Sequence, residues 1–157
     1  IPLTPIFVIP YLLAIFSWLI TIIYVNLWQK KSAAINFDIK LIAAGILSSV
    51  IYLVIPTFVN RVVVNGNDIF SNILKAIYSN DESFSAAPSG HTFYTVLCLI
   101  TLNKLLPKYK VLWFAIAILI ILSTLFIKQH NILDAVLGIL FALIISFLVD
   151  KIKVGED

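Results

Sequence analysis

Apolar residues fill this chain in blocks too long to be single faces of soluble helices. Five stretches, residues 5–28, 39–58, 91–106, 111–127 and 131–149, are long enough or nearly so to cross a hydrocarbon layer of about 30 Å as helices of roughly 20 residues. The third is the shortest, and Asn103 and Lys104 near its end must reach the interface. The one long connection, residues 59–90, holds a segment, 68–78, that places Ile69, Ile73, Leu74 and Ile77 on one helical face. That pattern fits a helix lying in the membrane interface and equally a helix packed over the bundle mouth. The predicted fold is all-α, a polytopic transmembrane helical bundle.

Composition agrees. The chain is 61% apolar and 12% charged, against about 45–50% and 25% in soluble domains. Its 157 residues fit one membrane-embedded domain, residues 1–157. Cys98 is the sole cysteine and sits in an apolar run, so neither a disulfide nor a thiolate metal site is expected. The chain opens on Ile1-Pro2-Leu3, contains no methionine and shows no signal peptide, which leads us to expect a fragment or a processed chain.

Charge sets the orientation. Lys30, Lys31, Lys40, Lys104, Lys108, Lys110, Lys151 and Lys153 belong to one side, and Arg61, Lys75 and Lys128 to the other. Eight against three places the first set, with the C-terminus, in the cytoplasm. Loop 59–90 and the link around 128–130 then share the extracytoplasmic face of a cell membrane. The net charge of +3 reflects this topology and gives no reason to expect nucleic acid. Membrane lipids are the expected surroundings.

Both histidines fall at that outer boundary. His130 precedes Asp134 by four residues, and on one helix face that spacing lets the carboxylate accept a hydrogen bond from the ring. Such a bond fixes the tautomer and stabilises an imidazolium or phosphohistidine. An ionisable residue inside an apolar helix is by default a functional candidate. Pro88-Ser89-Gly90-His91 closes the long loop. There Gly90 permits close approach of an anion, Ser89 offers a hydroxyl, and the helix N-terminus presents unpaired N–H groups to phosphate. His91 is then placed to protonate a leaving alkoxide.

Taken together these residues resemble the type 2 phosphatidic acid phosphatase superfamily, whose signature is K-x6-R-P, P-S-G-H and S-R-x5-H-x3-D. The second block is complete at Pro88-Ser89-Gly90-His91, and the third keeps Ser123, His130 and Asp134. The third block's arginine is Thr124. The first block survives as Arg61, followed by Val62, with Val54 at its lysine position. Lys128 is the natural substitute cation, as a point charge where arginine would be a fork. The Ser-Thr and Lys-Gln-His features look similar to the branch containing inositol phosphorylceramide synthase-like transferases.

The resemblance implies a six-helix core, of which five spans are visible and the first is missing. It implies a ping-pong reaction without cofactor or metal. His130 attacks phosphorus while Asp134 holds its ring. His91 protonates the leaving alcohol, then activates water or a second alcohol. Arg61, Lys128, Ser89, Ser123 and the amides at Gly90 and His91 bind the phosphoryl oxygens. The implied substrate is a lipid phosphate, with phosphatidate, polyprenyl pyrophosphate and phosphosphingolipids all open. The implied outcome is hydrolysis or, alternatively, transfer to an alcohol. A catalytically inactive membrane module of the same fold is the third reading.

Overall fold

The computed structural model describes residues 1–81 and 83–152; Lys153, counted above among the basic residues, lies outside them. Six α-helices follow in order: α1 Val8–Trp28, α2 Lys31–Val54, α3 Ile69–Asn80, α4 Gly90–Leu105, α5 Lys110–Phe126 and α6 Ile132–Asp150. Short 3-10 turns, Pro5–Phe7 and Pro107–Tyr109, lead into α1 and α5. An isolated antiparallel bridge joins Phe58 to Phe84 within the long loop.

Prolines and caps set most helix ends. Pro56 disfavours helical backbone at Ile55, and α2 stops at Val54. Asp68 caps α3, accepting from the Phe70 and Ser71 amides at 3.0 and 3.1 Å, as short polar side chains do at helix starts. The expected second span is corrected at both ends, since α2 starts at Lys31 and not at residue 39. Its first turns carry polar residues that find partners. Asn26 donates to Asp38 at 3.1 Å, and Lys40 is buried in an ion pair 2.7 Å from Asp150. Lys40 therefore sits well inside α2, buried among its neighbours.

Four helical stretches are long and apolar enough to cross a membrane: Pro5–Trp28, Lys31–Val54, Pro107–Phe126 and Ile132–Asp150. Large apolar side chains such as Ile20, Leu53, Val111 and Ile144 project outward from them. α4 has only 16 residues, about 24 Å at a rise of 1.5 Å per residue. It is nevertheless the central helix, packed against α1, α2, α5 and α6. Phe93, Val96 and Leu97 meet Ala44, Ala142, Ile145 and Val149 in the main core. Because its neighbours are protein, α4 buries Thr92, Thr95 and Thr101, and Thr95 accepts from the Trp18 indole at 3.0 Å. Gly138 permits the closest approach of α6: a Cβ there would lie 2.9 Å from both the Ser89 carbonyl oxygen and the Thr92 Cβ.

α3 packs over the mouth of the bundle, which decides between the two readings of its apolar face. Leu74 is fully buried with Tyr11, Val64 and Ile127, and the Tyr78 hydroxyl donates to the Ile127 carbonyl at 2.5 Å.

Candidate active site

The Pro-Ser-Gly-His segment is held from three directions. Tyr52 donates to the Pro88 carbonyl at 2.5 Å. The Ser89 amide donates to the Asp134 carbonyl at 3.0 Å. The Ser89 hydroxyl accepts from the Thr92 amide at 3.3 Å, so Ser89 serves as the N-cap of α4. Its side chain is fully buried and spent on the cap. Gly90 and His91 then open α4 at the cavity wall.

His91 lies in an aromatic slot. Its ring stacks on Tyr11 with centroids 4.3 Å apart and tilts against Trp18 at 5.4 Å.

His130 arrives from the end of α5. That helix closes with the Lys128 amide donating to Leu125 at 3.3 Å and the Gln129 amide to Thr124 at 3.0 Å. Lys128 has a φ of 56°, the left-handed backbone that such a C-terminal cap requires. The His130 amide also donates to Thr124, at 3.1 Å. This reversal turns His130 toward α4, and the two imidazole centroids lie 5.9 Å apart.

The expected hydrogen bond from His130 to Asp134 is not formed. The spacing argument needs both residues in one helix, but α6 starts at Ile132 with Asn131 as its N-cap. Asp134 closes a capping box, accepting from the Asn131 amide at 2.7 Å, and asparagine is a far better cap than histidine. Asp134 acts on His130 through space. Burial pushes the His130 imidazole below the ordinary histidine range, while Asp134, the Ala86 backbone and Asp81 pull it back up. Its Nδ1 is buried and unpartnered among the described residues.

Arg61 reaches the same cavity. It donates to the Asp81 carbonyl, to the Asp81 carboxylate at 3.3 Å and to the Gln129 side chain at 2.5 Å. Its guanidinium lies over Tyr78, 4.8 Å from the ring centroid. The cavity encloses about 210 Å³, and Tyr11, Tyr52, Arg61, Gly90, His91, Gln129 and His130 contribute to its wall.

The structure thus assembles His91, His130, Arg61 and Gly90, from three separate segments, around one space. Ser89 and Asp134 stand behind it as caps. Besides Ser89, two further expected phosphate ligands are not on the cavity wall. The Ser123 hydroxyl donates back to Ile120 at 2.6 Å, and the Lys128 amine donates to the Ile1 carbonyl. The position after Ser123 turns inward as well, since Thr124 donates to Ile121 at 2.8 Å. Tyr11, Tyr52 and Gln129 were missed, because aromatic residues in apolar helices read as packing and a lone glutamine carries no pattern.

A family model for the PAP2 superfamily matches residues 2–148. The chain belongs to the PAP2 superfamily. PAP2 membership gives a helical membrane protein with phosphatase- or phosphotransferase-type chemistry on lipids. No curated protein and no solved structure matches the chain.

Proposed function

We propose that this PAP2 protein cleaves a lipid phosphate ester through a phosphohistidine on His130. One observation carries the reading: two imidazoles 5.9 Å apart share the wall of a small polar cavity with one guanidinium. A neutral His130 has a lone pair to attack phosphorus. His91, on the facing helix, delivers a proton to the departing alkoxide and then takes one from water. Arg61 and the amides at the start of α4 stabilise charge on the equatorial oxygens, the main source of catalysis in phosphoryl transfer. Asp134 stabilises the cationic ring electrostatically and holds the Ser89 backbone; the direct ring bond is not part of the scheme.

The lipid nature of the substrate is supported by an apolar groove of about 540 Å³ between α1, α4 and α5. Thr95, one turn below His91, lines it together with Ile20, Leu99 and Ile116, so a hydrocarbon chain has a path beneath the site. The extracytoplasmic placement is supported by the lysines: Lys30, Lys104, Lys108, Lys110 and Lys151 all lie at helix ends away from the histidines.

A specific observation favours a second reading, transfer of a phospho-headgroup to an alcohol. Asp81 offsets Arg61, Lys128 turns away, and position 124 is uncharged. So weakly cationic a shell suits a phosphodiester monoanion better than a monoester dianion.

His130→Ala and His91→Ala are each expected to lower turnover of a lipid phosphate in detergent micelles by about 10³-fold or more. Radiolabelled phosphate should be trapped on wild type, but not on His130→Ala. Undiminished activity in both variants, abolished by EDTA, would sink the scheme. A labelled phospholipid formed on adding an alcohol, in place of inorganic phosphate, selects transfer over hydrolysis.

A further inference from the structure

We propose that Gln129 is a direct ligand of the substrate, donating from its side-chain amide to a non-bridging phosphoryl oxygen while its carbonyl holds Arg61. The inference rests on the phosphoryl-transfer reading above and names a neutral donor where cations are scarce.

The orientation of the amide follows from chemistry. A guanidinium has donors only, so the Gln129 atom 2.5 Å from Arg61 is the side-chain oxygen. With Oε1 committed, Nε2 must point elsewhere. It is buried and has no hydrogen-bond partner among the described residues, although Gln129 itself is only 5% exposed. A buried donor left unpaired is costly, and native structures retain such groups where a ligand, ion or water completes them. Here the completing group enters the space between the histidines, because Gln129 lines the same cavity as His91 and His130.

The backbone holds Gln129 as firmly as it holds the nucleophile. Gln129 and His130 both donate their amides to the Thr124 carbonyl, at 3.0 and 3.1 Å. The left-handed residue before them, Lys128, is what makes that double anchoring possible. The amide donor and the attacking ring therefore move as one unit relative to substrate. Substrate binding also gives this buried donor an acceptor.

Gln129→Glu tests this, because glutamate keeps an acceptor for Arg61 and loses the donor only while ionised. The probe is orthovanadate, measured as an inhibitor of lipid-phosphate turnover by the full chain in micelles, each variant compared with wild type at the same pH. At about pH 8, far above the ordinary glutamate pKa of about 4.3, the ionised carboxylate should weaken vanadate about tenfold or more. Gln129→Met, without donor or acceptor, should be weakened as well. Thermal melting checks that each variant is folded. If Gln129→Glu matches wild type, Gln129 merely buttresses Arg61 and the proposal falls. If wild type turns over lipid phosphate yet Gln129→Met binds vanadate normally, the proposal also falls while the phosphoryl reading stands. If wild type neither turns over a lipid phosphate nor binds vanadate, the phosphoryl reading fails first.

Discussion

The two ends of α4 both bury polar groups, and they treat them in opposite ways. At the lysine end, Lys40 and Lys104 close on Asp150 at 2.7 and 2.5 Å and tie α2, α4 and α6 together. The three charges pair with one another, although the neighbouring Asn103 Oδ1 is buried without a partner among the described residues. At the histidine end, Gln129 Nε2 and His130 Nδ1 are buried without partners among the described residues around an open cavity. A closed ion-pair network holds helices; unpaired donors and lone pairs around a space are capacity held for a ligand. The same central helix carries a fastening at one end and a site at the other.

That contrast predicts that variants at the two ends separate activity from stability. Asp134→Asn should have the largest effect, lowering kcat about 10²-fold, with little change in melting temperature because asparagine can still accept from the Asn131 amide. It also moves the pH profile. If attack needs neutral His130, activity falls as pH drops through the ring's folded pKa, which lies below the ordinary value of about 6.5. Asp134 raises that pKa, so removing its charge should shift the acid limb to lower pH. An acid limb shifted upward would contradict the through-space role.

Lys40→Met should do the reverse. Stranding a buried charge typically costs about 3–5 kcal/mol, but Asp150 keeps Lys104, so a loss nearer 2 kcal/mol is expected. It should register as a lower melting temperature in detergent, with kcat of the folded fraction unchanged. A kcat loss larger than the stability loss would show that the two ends are coupled. Smallest of all should be Ser123→Ala, within about twofold in kcat/KM, since the Ser123 hydroxyl is spent on its own helix and such back-bonds contribute little. A loss of tenfold or more would return Ser123 to the phosphate shell.

Much of this architecture is legible in order of residues alone. The spans, the polarity of the lysines and the helical segment around Leu74 follow from hydrophobic runs and spacing, which are local properties. The Ser89 N-cap is not among these, since its hydroxyl is expected on phosphate and instead accepts from the Thr92 amide. The central position of α4 is not legible, because a helix enclosed by protein tolerates threonines that a lipid-facing helix would avoid, and on composition it looks like the weakest span. The local bonds of Asp134, Lys128 and Ser123 are not legible either, because the first two cap helix ends and the third bonds backward within its helix.

The sequence by itself determined that this chain is a membrane helical bundle with its two histidines at one boundary, because apolar length and charge asymmetry act residue by residue. Only the tertiary structure decided which polar groups face the cavity. That depends on where α5 ends and α6 begins, a competition among capping groups settled at Lys128 and Asn131. It depends equally on α4 being drawn against α6 at Gly138. Those contacts join segments far apart in the chain, and no local pattern records them.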